Sequence, residues 1–224
     1  MSESGTLVLV GGGEWLGDAA IDREIVALGG NEVHVLPTAA AYEQPGMAID
    51  TARLRYEQLG ATVIPVMVLN RRDAESEDIA RMVASAQTLY LSGGSPLHLR
   101  VTLKDSAVLD ALRRAFAGGA TVVGSSAGAM ALTDPMVDPR GGAFTTGLGL
   151  VTGMCVVPHS DGSPSPRLDR TLSLATDGTT VVTIPEETGL IFAPSRGWYT
   201  VGPGRVRVFR GGTEADLAVL ATPS

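Results

Sequence analysis

Residues 122–130 read Val-Val-Gly-Ser-Ser-Ala-Gly-Ala-Met, an apolar strand that runs into Gly124-x-Ser126-x-Gly128 and then into a small-residue helix start. This is the spacing of a nucleophile elbow. A serine on a sharp strand-to-helix turn stands clear of the backbone, and glycine two places before and two after leaves room for the turn and for an approaching substrate. The amide N–H of Ala127 turns toward the same side chain, so half of an oxyanion hole comes with the turn. The chemistry such a turn serves is acyl transfer to a hydroxyl. Ser125 does not have the frame, because its neighbours at minus and plus two are Val123 and Ala127.

A serine nucleophile needs a base, and the chain offers three histidines and a single lysine, Lys104. His34 sits inside a strand and is expected to pack. His98 follows Gly93-Gly94 at the start of a helix, and Lys104 has ordinary solvated neighbours. His159 follows Val156-Val157-Pro158, at a strand end from which an imidazole can face the elbow, and is the favoured base. The base in turn needs a carboxylate to orient it and to stabilise the imidazolium. Asp161 is only two residues along and is expected to point elsewhere. Glu186 and Glu187 follow the apolar run 181–184 and Pro185, again at a strand end, and either is a better third member. Gly93 and Gly94 can supply the second oxyanion N–H, since glycines let the backbone approach the developing charge closely.

The elements that must position these groups alternate. Strands are expected at 6–10, 32–36, 62–68, 88–91 and 120–124, with helices at 19–28, 47–59, 76–85 and 106–117 between them. That alternation implies crossover units, a mostly parallel sheet and helices on both faces. Beyond residue 145 the texture changes to short strands at 148–157, 180–184, 190–192, 199–201, 206–209 and 217–220, with a helix at 167–175. These are expected to extend the same sheet in antiparallel fashion, and 162–166 reads as an ordered turn or lid loop. No flexible linker or internal repeat divides residues 1–224, which read as one α/β domain.

Composition excludes several function classes. The chain is 44% hydrophobic with a net charge of −7, which suits a packed core and argues against nucleic acid as the main partner. Cys155, the one cysteine, lies in a strand-like run and reads as an inert core thiol, so neither an intrachain disulfide nor a cysteine metal cluster is expected. Gly11-Gly12-Gly13-Glu14 resembles a dinucleotide fingerprint only weakly, because Leu16 stands where a third glycine is needed. A phosphate loop is ruled out by the absence of Gly-Lys-Ser/Thr. No apolar run approaches the ~18 to 20 residues of a membrane span, and no secretory leader is visible, so a cytoplasmic, soluble protein is expected.

The chain resembles the cyanophycinase and dipeptidase E family of serine peptidases, which shares its fold with class I glutamine amidotransferases. The resemblance rests on Gly11-Gly12-Gly13-Glu14, Arg55-Tyr56-Glu57 before Leu59-Gly60-Ala61, and Leu91-Ser92-Gly93-Gly94. It continues through the elbow 124–129, Gly147-Leu148-Gly149-Leu150, His159 followed by Arg167-x-x-Arg170, and Pro185-Glu186 before Thr188-Gly189-Leu190. It implies a three-layer α/β sandwich of flavodoxin-like type with a small antiparallel C-terminal extension. It also implies Ser126 as nucleophile, His159 as general base, Glu186 as the acidic member, and Gly94 with Ala127 as oxyanion amides. Such enzymes hydrolyse peptide or isopeptide bonds next to aspartyl residues without a metal or other cofactor, and the family suggests a homodimer. Gly93, Ser95, Arg167 and Arg170 are the expected substrate contacts, the arginines as bidentate donors to an aspartyl carboxylate. The chain departs from the family at Ser95-Pro96, at Ser160 after the histidine, in a long 159–167 stretch, and at Pro185 before Glu186. An aspartyl dipeptidase and, in another class, a non-catalytic ligand-binding protein on this scaffold are the alternatives. A glutaminase is disfavoured, because those enzymes carry cysteine at the elbow.

Overall fold

A computed structural model describes residues 5–161, 163 and 165–223. Five parallel strands form the centre: β1 Thr6–Val10, β2 Glu32–Leu36, β3 Thr62–Pro65, β4 Thr88–Leu91 and β5 Thr121–Ser125. Four two-residue strands follow, β6 Thr133–Asp134, β7 Met136–Val137, β8 Phe144–Thr145 and β9 Val151–Thr152, and then β10 Met154–Val157, β11 Thr180–Thr183, β12 Gly189–Ala193, β13 Gly197–Val201, β14 Arg207–Arg210 and β15 Thr213–Ala215. The central sheet has the order β13-β12-β1-β5-β4-β2-β3. Its antiparallel extension is the hairpin β12–β13 alone. Six other strands build a second, mixed sheet ordered β15-β14-β11-β10-β6-β9, and β7 and β8 pair as a separate antiparallel ribbon.

The central strands are apolar on both faces because both faces are covered. Alternation along β1 sends Leu7 and Leu9 into one core cluster and Val8 and Val10 into the other. The same split separates Leu89 and Leu91 from Tyr90 on β4, and Val122 from Val123 on β5. Helices α1 Ala20–Gly29 and α2 Pro45–Glu57 bury Ile21, Ile25, Ile49, Ala52 and Tyr56 against one face. A four-residue α3, Arg71–Ala74, precedes α4 Glu77–Ser85, and α4 covers the opposite face with α5 Pro96–Leu103, α6 Ala107–Ala117 and α7 Ala127–Leu132. The second sheet packs into that same cluster through Met154, Cys155, Val156, Val181 and Val182.

Several boundaries differ from the sequence reading, each for a local reason. The strand expected at 148–157 is broken at Gly153, whose φ of +74° is left-handed. The strand expected at 217–220 is instead a 3₁₀ turn, Leu217–Val219, started by the Asp216 carboxylate accepting from Ala218 N–H. The turn or lid at 162–166 lies partly outside the described residues. Among the described residues no helix is long and apolar enough to cross a membrane.

One buried ion pair ties α1 to α2. Arg55 Nε lies 3.4 Å from Asp22 Oδ2, and a second guanidinium N–H donates to the Gly17 carbonyl at 3.0 Å. Burial pushes the Asp22 carboxyl up to about 6, a rise that Arg55 opposes without cancelling. The folded-state value therefore lies above the unfolded 3.8, so the contribution of this group to stability is present at pH 4 and lost as pH rises through 6. Asp22→Asn is expected to melt close to wild type at pH 4 and above it at pH 7, the gap growing by roughly 3 kcal/mol or several degrees. Calorimetric melting of both proteins across that range checks this. A gap that moves the other way contradicts it.

Candidate active site

The elbow has the backbone its sequence requires. Ser126, between β5 and α7, has φ +50° and ψ −105°, a conformation that costs about 1–3 kcal/mol in a non-glycine residue. Hydrogen bonds hold it there, from Ser126 N–H to the Val10 carbonyl at 2.9 Å and from Met130 N–H to the Ser126 carbonyl at 3.0 Å. The two glycines make room for backbone and not for substrate. A Cβ on Gly124 would meet Gly128 C at 2.6 Å, and one on Gly128 would meet the Leu91 carbonyl oxygen at 2.3 Å. Glycine at the first position lets α7 fold back over β5, and at the second lets it lie against β4.

The other two members come from the second sheet. Strands β10 and β11 pair in parallel, Val157 opposite Thr183, so both chains emerge at one end side by side. His159 is two residues beyond the first and Glu186 three beyond the second, which explains how residues 27 apart in the chain meet. His159 Nδ1 lies 2.9 Å from Glu186 Oε1, and His159 Nε2 lies 2.7 Å from Ser126 Oγ. A carboxylate only accepts, so Nδ1 carries the proton and donates to Glu186, which leaves the Nε2 lone pair to accept from the Ser126 hydroxyl. The imidazole and carboxylate are 48% and 62% exposed, so their Coulomb attraction is screened and the contact acts mainly on ring orientation and tautomer.

The Gly11-Gly12-Gly13 loop is the strap between the sheets. Gly11 N–H donates to the Thr188 carbonyl, His159 N–H to the Gly11 carbonyl, and Glu187 N–H to the Gly12 carbonyl, all within 3.0 Å. An added Cβ would reach the Pro185 carbonyl oxygen at 2.0 Å from Gly11, and His159 Cε1 at 2.3 Å from Gly12, where φ is also +124°. These glycines therefore seat the segments that carry His159 and Glu186 against the end of β1. They bear no sign of a dinucleotide site.

The remaining expected residues divide. Gly94 (φ +129°) is wedged against Ala39, where a Cβ would lie 2.4 Å from the carbonyl oxygen, and Ser95 N–H donates to that same carbonyl at 2.8 Å. Gly94, Ser126, Ala127 and His159 line one cavity of about 350 Å³. Its floor is apolar, from Met130, Val137, Val157 and Leu168, and Asp161 and Arg167 stand on its polar wall. Backbone and hydroxyl donors from Ser163 hold the Asp161 carboxyl below its usual range. Among the described residues Arg167 has no carboxylate partner. Arg170 is exposed on α8, Pro166–Leu174, and does not line the cavity. Gly93 donates its N–H to Glu14, and Ser95 caps α5 by accepting from His98 N–H, with Pro96 in the first turn where its missing N–H costs nothing. Both are absent from the cavity lining, so of the four expected substrate contacts Arg167 is the one that faces it.

The rejected candidates have structural roles. His34 is buried on β2, and His98 points its Nε2 at the Leu69 carbonyl while its ring meets Tyr42 edge-on. Lys104 follows α5 and sits 3.8 Å from Asp105. Cys155 is fully buried, and burial pushes its thiol up to about 12. Sequence reasoning missed Glu14, whose carboxylate meets both Gly93 N–H and the Ser125 hydroxyl.

Comparison with known proteins identifies the family. The profile described as peptidase family S51 matches residues 7–196. Cyanophycinases of Trichormus variabilis and of a Nostoc species are each 26% identical over 221 residues, covering 90% of this chain and 72% of theirs. The crystal structure of a peptidase from an acI-B1 actinobacterium superposes with a TM-score of 0.83 at 27% identity, over 96% of this chain and 94% of that one. A candidate peptidase E from Listeria monocytogenes shares the fold, with a TM-score of 0.63 at 18% identity over 92% and 98% of the two chains. The chain belongs to peptidase family S51 and is a serine peptidase.

Proposed function

We propose that this peptidase cleaves peptide or isopeptide bonds next to aspartyl residues, as a cyanophycinase-like hydrolase, through Ser126, His159 and Glu186. The observation that carries the reading is the unbroken chain from Ser126 Oγ to His159 at 2.7 Å and from His159 to Glu186 at 2.9 Å, at a cavity lined by Arg167, which has no carboxylate partner among the described residues. Ser126 Oγ attacks the scissile carbonyl while His159 Nε2 takes the hydroxyl proton. The carbonyl oxygen becomes an oxyanion, which accepts from the N–H groups of Gly94 and Ala127. Collapse expels the amine, protonated by His159, and leaves an acyl ester on Ser126. Water, deprotonated by the same imidazole, then attacks the ester, and the acid departs with Ser126 regenerated. Glu186 holds the ring in the tautomer that the first proton transfer needs. Arg167 is the group assigned to the aspartyl carboxylate, since its guanidinium, without a carboxylate partner among the described residues, can donate to it in bidentate fashion.

Release of amino acid from α-aspartyl dipeptides and from β-aspartyl-arginine tests the proposal and separates the dipeptidase from the isopeptidase form of it. Ser126→Ala is expected to lose turnover by more than about 10³-fold, and Glu186→Gln by roughly 10²-fold in kcat with little change in KM. Arg167→Ala is expected to raise KM for aspartyl substrates by roughly tenfold or more and to leave melting unchanged. Full activity in Ser126→Ala contradicts the proposal outright, and an unaltered KM in Arg167→Ala removes that residue from substrate recognition.

A further inference from the structure

We infer that Glu14 is a positioning residue for the oxyanion hole, tethering the loop that carries Gly94 to the strand end that carries Ser126. The inference rests on the catalytic reading above. Glu14 Oε1 accepts from Gly93 N–H at 2.7 Å, and its Oε2 accepts from the Ser125 hydroxyl. Each anchor is the residue immediately before a group assigned to the chemistry: Gly93 before Gly94, and Ser125 before Ser126. One carboxylate thus sets the spacing of two backbones that are otherwise 32 residues apart in the chain and belong to different strands. It lies so close on the loop that a Cβ on Gly93 would stand 2.8 Å from Oε1.

The loop needs such a tether because of its own composition. Two successive glycines have the widest choice of backbone angles, and a rotated peptide between them would aim a carbonyl where an N–H is required. In a trans peptide the C=O and the following N–H point in opposite directions. The Ser92 hydroxyl donates to the Gly93 carbonyl at 3.3 Å, which holds that oxygen to its side and leaves the Gly94 N–H on the other. No described residue accepts from Gly94 N–H. Glu14 fixes the near end of this unit, and the packing of Gly94 on Ala39 fixes the far end.

The test uses the rate at which a fluorophosphonate labels Ser126, a reaction in which the Ser126 Oγ–P bond forms, the P–F bond breaks, fluoride leaves and the hydroxyl proton passes to His159. The phosphoryl oxygen develops negative charge in the oxyanion hole, so the rate reads donor placement without a known substrate. Glu14→Ala is expected to slow labelling by about 100-fold, the loss typical of one missing oxyanion donor. Glu14→Gln is expected to stay within about threefold of wild type, because its amide oxygen accepts from Gly93 and its NH₂ donates to Ser125. Ser125→Ala, which removes one anchor and little volume, is expected to fall between the two and serves where Glu14→Ala does not fold. Equal labelling rates across a folded set overturn the inference, as does a Glu14→Gln variant as slow as Glu14→Ala. A wild type that is not labelled refutes the catalytic reading instead. The tether is then judged by a crystal structure of Glu14→Ala, where an unchanged Gly93–Gly94 peptide overturns it and a rotated or split one sustains it.

Discussion

Two sheets that do not share a hydrogen-bonded edge must meet within a few tenths of an ångström for this site to exist, and backbone contact at Gly11 and Gly12 is what brings them together. Side chains there would stand 2.0 Å from Pro185 and 2.3 Å from His159, so the approach is open to glycine alone. Everything else in the site inherits its position from that contact. Strand β1 carries the strap, β5 beside it carries Ser126, and the strap's carbonyls take the N–H groups of His159 and Glu187. Ser126, the proposed nucleophile, comes from one sheet, and His159 and Glu186, proposed as its base and orienting carboxylate, come from the other.

The electrostatics of the assembly are those of an open site. His159 and Glu186 are both well exposed, in contrast to the buried aspartate of chymotrypsin-like triads, so water screens their attraction and geometry must do more of the orienting. The positive φ at His159 and Glu187, at +55° and +53°, turns the two chains out of their strands toward each other. Strained backbone at Ser126, His159 and Glu187 is over-determined by the hydrogen bonds around it, and such strain gathers where function requires it.

The central fold was legible because strands 6–10, 32–36 and 88–91 are short, largely apolar runs with glycine or proline within two residues of their ends, and α1 and α4 carry clear periodicity. The elbow was legible for a related reason, since its glycines have a local steric cause. The second sheet was not read as separate, because two of its six strands, β6 and β9, are two residues long and the others only three or four, too short for any period to show. Ser95-Pro96, where the chain departs from the family, is a helix cap followed by a first-turn proline, and Pro96 lines the cavity. Of the two arginines on α8, one-dimensional spacing treats Arg167 and Arg170 alike, and only the docking of the helix over the cavity separates them. Glu14 and Ser125, separated by 111 residues, give no sequence signal of their meeting.

A crystal structure of the protein with N-acetyl-aspartyl aldehyde tests the central claim most directly. The account predicts a hemiacetal bond to Ser126 Oγ, its oxygen about 2.7–3.1 Å from the N–H groups of both Gly94 and Ala127, and the aspartyl carboxylate on Arg167. An aldehyde bound without a covalent bond, or a hemiacetal oxygen turned away from both amides, contradicts it.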